Sequence, residues 1–164
     1  MKIMTEVSIN KQAQLSEHFT LAEMCKTSAK TQDGNIPSHV HIENLKRLCG
    51  WLEMLRSEWN KRYGEGDDPI VINSGYRSEA VNKAVGGVKG SNHLTGCAAD
   101  IRVAGIEQLV RYATILLDIS DESQEDFDEL LLERSPRGGY WLHFAVRPPS
   151  QENRRKVSLI QSLR

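Results

Sequence analysis

The chain has 164 residues, 39% hydrophobic and 26% charged, with a formal net charge of -1. This is the size and composition of one globular domain with its own core, so residues 1–164 are expected to form a single domain acting as a monomer. The near balance of 21 basic and 22 acidic side chains offers no electrostatic footing for nucleic acid or an anionic membrane surface. No stretch has the length or apolarity of a membrane span, and the N-terminal residues lack a signal-peptide core. The expectation is a protein made in the cytoplasm, without membrane insertion, that meets any substrate outside the membrane only through lysis or another export route. Cys25, Cys49 and Cys97 are odd in number and match no disulfide or CxxC spacing, so they are expected as buried thiols in a reducing compartment.

In chain order, Thr20 with Glu23 three residues later forms a capping box for a short helix. From about His41 to Tyr63, Ile42, Leu45, Leu48, Leu52, Leu55 and Trp59 recur at intervals of three and four, which predicts a long amphipathic helix stopped by Gly64, Gly66 and Pro69. PIVIN (69–73) is a short strand, Ser74-Gly75 a turn, and SEAVNKAV (78–85) a helical turn. GGVKGSNHLTG (86–96) is too rich in glycine to be regular. AADIRV (98–103) follows as a strand, residues 106–119 as a second amphipathic helix, and DELLLER (128–134) and YWLHFAV (140–146) as two final strands joined by the hairpin loop SPRGG. Helices early and a mainly antiparallel sheet later define an α+β fold.

The chemistry concentrates in SNHLTGCAAD. His93 and Asp100 stand seven positions apart around Gly96, so a loop folding back onto a strand brings an imidazole and a carboxylate together. Such a pair supplies two of the three protein ligands of an open zinc site. His143, interrupting an otherwise apolar strand, is the candidate third, on one strand face with Trp141 and Ala145. His39 and His41 at the helix start and His18 near the first cap are expected to be structural.

The segment Ser91–Asp100 resembles, at every fixed position, the S-x-H-x-x-G-x-A-x-D signature of the zinc D-Ala-D-Ala carboxypeptidases of peptidase family M15. INSGYRS (72–78) is similar to that family's S-G-Y-R-S element, WLHFAV to its W-x-H strand, and HFTLAEM and the closing NRRK to its phage and prophage branch. The resemblance implies the hedgehog/DD-peptidase fold, a small sheet flanked by helices. It implies one Zn²⁺ per chain on His93, Asp100 and His143, and a peptide of peptidoglycan as substrate. Arg77 matches the arginine facing substrate, suited to a carboxylate or an oxyanion. Ser91, Tyr140 and Trp141 are further candidates for substrate contact.

Many members carry an acid three positions before the last histidine, where this chain has Tyr140, which cannot serve as a base near neutral pH. Glu133, ending the preceding strand, is the candidate base, with Glu129 on the same face as its alternative. The expected activity is hydrolysis of a stem-peptide amide, as a carboxypeptidase or an endopeptidase. The alternative is a zinc-containing binding or phage structural module that has lost its base.

Overall fold

The computed structural model describes residues 9–163. The helices begin at side-chain caps. Thr20 opens α1 (Leu21–Met24) through the expected capping box with Glu23, and Ser38 opens α2 (His39–Arg62), where His41 returns a ring nitrogen to the cap backbone. His41 therefore has a structural task, and its ring also packs on Tyr76. α3 (Glu79–Ala84) starts at Ser78, and α4 (Ile106–Ser123) runs four residues past its predicted end before Gln124 turns left-handed. No helix among the described residues is long and apolar enough to cross a membrane.

Among the described residues, five strands form one sheet in the order β1-β2-β4-β3-β5: β1 (Ile72–Ser74), β2 (Ala98–Arg102), β3 (Glu129–Arg134), β4 (Tyr140–Ala145) and β5 (Lys156–Gln161). All pairings are antiparallel except β3 with β5. The α+β, mainly antiparallel expectation holds, and the fold is consistent with the hedgehog/DD-peptidase class. Leu130, Ile101, Leu142 and Phe144 point to one face, where they meet Leu48, Leu52 and Leu55 of α2 and Leu109 and Leu116 of α4, all within a few percent of full burial. Trp51 and Phe127 close on the Phe144 ring at 5.4 and 5.7 Å. Burying such side chains, at roughly 1.5–3 kcal/mol each, ties the helices to this face and leaves the other free for a cleft.

β5 was not expected from the sequence. As the edge strand it exposes Val157 and Leu159, so its pattern lacks the inward alternation that marks a half-buried strand. What seats it is a buried charge. The chain leaving β4 must cross the start of β3 to reach the far side, and there it wraps around Asp128, whose side chain has no solvent exposure. Asp128 accepts hydrogen bonds from the Arg154 backbone and guanidinium at 2.7–3.1 Å and from Asn92 at 2.7 Å, with Arg147 Nε at 3.1 Å. Its own backbone joins Ala145 and Lys156. Cys25, Cys49 and Cys97 are buried and unbridged, and burial raises the pKa of each thiol.

Two outcomes follow for stability. Gly96 is left-handed at φ +74, and a Cβ there would stand 2.6 Å from the His41 carbonyl oxygen, so Gly96→Ala is expected to lose about 2 kcal/mol or more in urea denaturation. Burial alone would raise the Asp128 pKa, but the hydrogen bonds from Arg154 and Asn92 and the charge of Arg147 outweigh it, and the pKa is lowered. Stability from this group is therefore complete above the unfolded carboxylate range and is lost as pH falls through the lowered folded value, below about pH 4. Asp128→Asn should cost about 1–3 kcal/mol at neutral pH and flatten the acid limb of a stability-against-pH curve.

Candidate active site

The site is assembled by strand register. Asp100 on β2 stands directly opposite His143 on β4, and directly opposed residues share a face. The third group comes from the loop expected to be irregular, which forms a single 3₁₀ turn, Asn92–Thr95, opened by the Ser91 hydroxyl and closed by left-handed Gly96. That turn swings His93 over the sheet, where its ring meets His143 edge-on with centroids 5.1 Å apart.

Three donor atoms converge. His93 Nε2 lies 3.3 Å and His143 Nδ1 2.9 Å from Asp100 Oδ1, and one ligand atom from each residue lies within 4.8 Å of the others. The opposite side of each ligand is committed. His93 Nδ1 donates to the Gly75 carbonyl at 2.6 Å, which leaves Nε2 bare toward the cluster. His143 Nε2 bonds Glu129 Oε2 at 2.9 Å, and Arg77 Nη2 donates to Asp100 Oδ2 at 2.9 Å. Two imidazoles and a carboxylate, each oriented from behind, are a donor set suited to a divalent metal with a further position open.

These groups shift one another's protonation. Burial disfavours an imidazolium at His143, but hydrogen bonds to Asp100 and Glu129 overcome it and push the pKa up to about 9. Glu129 is lowered to about 2, chiefly by its hydrogen bond to His143. Asp100 is lowered too, its burial outweighed by the charges and hydrogen bonds of His93 and His143. His93 is lowered, burial being the dominant cause. A metal would take the place of the His143 proton on Nδ1 while Glu129 kept the one on Nε2.

The cluster opens into a cleft of about 720 Å³ whose wall includes Arg77, Ser91, Glu129, Glu133, Trp141 and Arg147. The candidates separate here. Glu129, Leu131 and Glu133 share the cleft face, with Leu131 opposite His143. Glu129 lies toward the start of β3, with one oxygen on His143 and the other 3.1 Å from Arg154 Nη2. Glu133, 9% exposed, lies on the far side, two residues along the strand and so about 7 Å from the residue facing His143. Arg77 is buried and also bonds the Ser74 hydroxyl at 2.9 Å, so its ion pair is with a member of the cluster itself. Ser91 lies at the cleft rim and receives the His93 amide at 3.3 Å.

Tyr140 is a correction. An odd offset of three from His143 turns it to the opposite sheet face, where it packs against the hydrophobic core with Arg134 over its ring. It is absent from the cleft wall, while Trp141, at an even offset, lines it beside Glu133. The residues that sequence reasoning missed are Asn92, Asp128, Arg147 and Arg154. The signal for Asn92 was its place between Ser91 and His93; the rest meet only in three dimensions.

Comparison with known proteins identifies the family. A family model described as Peptidase M15 matches residues 17–119, a span that contains Arg77, His93 and Asp100 and stops before His143. A zinc D-Ala-D-Ala carboxypeptidase of Streptomyces albus G is 31% identical over 84 residues, 51% of this chain and 31% of the relative. The matched stretch thus spans about a third of that protein's length. With more than half of its residues matched by the family model, the chain belongs to the Peptidase M15 family.

Proposed function

We propose that this chain is a zinc metallopeptidase that hydrolyses an amide bond in peptidoglycan stem peptides. It would act as one domain and one monomer, holding a single Zn²⁺ on His93, Asp100 and His143. The observation that carries the reading is the convergence of His93 Nε2, Asp100 Oδ1 and His143 Nδ1 on one point of a cleft in a member of a peptidase family. The relative that acts on D-Ala-D-Ala carries zinc in its name, and that chemistry is what the substrate proposal extends to this chain.

Zinc, when bound, would polarise the scissile carbonyl and lower the pKa of a water molecule toward neutrality. The rest falls to the chain's own residues. Glu133 takes the proton of the attacking water and returns it to the departing amine. Glu129 is assigned instead to holding His143 in place through the hydrogen bond to its Nε2. Arg77 keeps Asp100 Oδ2 occupied, so that Oδ1 alone faces the centre, and its buried charge favours the oxyanion. Trp141 supplies a flat wall for the peptide beside Glu133, and Ser91 fixes the turn that presents His93.

Elemental analysis is expected to find about one zinc per chain after reconstitution, and His143→Ala should lose both the metal and part of the thermal stability. Glu133→Gln should keep zinc while kcat on a muropeptide falls about two to four orders of magnitude. Glu129→Gln should act differently, weakening zinc about 10–100-fold. If Glu129→Gln abolished turnover with zinc retained and Glu133→Gln did not, the base would be Glu129. Arg77→Lys is expected to lower turnover with zinc still bound, since an ammonium lacks the planar fork that spans two acceptors. A wild-type chain loaded with zinc and inert toward every muropeptide, by mass analysis of digested peptidoglycan, would refute the peptidase reading.

A further inference from the structure

One end of the cleft, where β3 begins and β4 ends, carries charge that the proposed hydrolysis does not use. Arg147, Arg154 and Lys156 all line it, three cations beside the two acids Asp128 and Glu129. The arginines are not loose surface side chains. Arg154 is clamped on fully buried Asp128 through Nε at 2.9 Å and Nη2 at 2.7 Å. Arg147 Nε approaches the same carboxylate at 3.1 Å and Asn92 Oδ1 at 3.4 Å. Their inner edges are thereby spent. Among the described residues, Arg147 Nη2, Arg154 Nη1 and Lys156 Nζ make no hydrogen bond. Donors locked before a ligand arrives lose little freedom on binding, and guanidinium edges match a carboxylate in charge and spacing.

The position sets what they can bind. Arg154 Nη2 is 3.1 Å from one oxygen of Glu129, whose other oxygen is 2.9 Å from His143. Arg154 therefore stands on the order of two extended residues from the point where the three ligands converge, and Arg147 and Lys156 line the same cleft. We propose that Arg147, Arg154 and Lys156 form a carboxylate-binding subsite that selects substrates bearing an acidic group within about two residues of the scissile amide. The proposal rests on the peptidase reading for the word substrate, but its binding chemistry stands apart from catalysis. The carboxylate can be the free terminus of the released residue or an acidic group within the uncleaved peptide.

Binding of hydrolysis-resistant probes tests it. Ketomethylene isosteres of acetyl-D-Ala-D-Ala would be prepared as the free acid, as the terminal amide, and as the terminal amide extended by a D-Glu residue. Calorimetry on the zinc-loaded full chain should give at least one acid probe about 10–100-fold tighter affinity than the amide. The free acid winning identifies a terminal carboxylate, and the D-Glu probe winning an internal one. Arg147→Gln should remove most of that preference while leaving affinity for the amide unchanged, and Arg147→Lys should restore part of it. Arg154 remains on Asp128 in both variants, so the fold is retained, and Lys156→Gln provides a second variant without a structural bond. Equal affinity of all three probes for the wild type overturns the subsite, as does a preference that survives both Arg147→Gln and Lys156→Gln. A carboxylate preference in a chain that hydrolyses none of the matching amide substrates leaves the subsite standing and overturns the peptidase proposal instead.

Discussion

The pairing of Asp100 with His143 across β2 and β4 is the constraint on which the rest of the site depends. Direct opposition in an antiparallel sheet fixes two side chains on the same face at a separation set by the strand spacing, and here the imidazole and carboxylate touch at 2.9 Å. A slip of one residue in that register would send one of the two into the core and leave the other alone on the cleft face. The apolar residues on the other face prevent it. Ile101 and Leu142, next to the pair on the two strands and opposite each other, are fully buried, so the core that stabilises the sheet also holds the site in register.

Around this pair, the groups that orient the ligands come from every part of the chain. Gly75 supplies a carbonyl to His93, Arg77 a guanidinium to Asp100, and Glu129 a carboxylate to His143. Gly75 has a further reason to be glycine: a side chain there would overlap the Met24 carbonyl oxygen, which receives the Tyr76 amide. The helical N-terminal segment and the site are therefore joined at one backbone contact, and a change at either end displaces the acceptor that sets the His93 tautomer.

A second polar centre, Asp128, organises the opposite end of the cleft. Fully buried, it would be costly without partners. Its partners arrive from the 3₁₀ turn through Asn92 and from the β4–β5 connection through Arg147 and Arg154. The same carboxylate thus seats an edge strand and aims two cations along the cleft. Glu129, next in sequence, faces the cleft and serves His143, so consecutive acids at the start of β3 divide between holding the fold and holding the site.

Much of this was legible in the sequence. The heptad-like spacing of α2, the capping box at Thr20, and the alternation of β3 and β4 were all visible, because each depends on residues close together in the chain. His93, Asp100 and His143 were legible as candidates through their motif, and Trp141 through its even offset from His143. From the sequence Tyr140 is a candidate for substrate contact, and the structure packs it against the core instead. Only tertiary structure distinguishes the surroundings of Glu129 and Glu133, which are equivalent by periodicity: Glu129 meets His143 and Arg154, while Glu133 lies opposite Trp141. It alone revealed β5, whose partner β3 lies more than 20 residues earlier, and the ring of donors around Asp128. Local periodicity reports which way a side chain points; what waits for it there is set by pairings between distant segments.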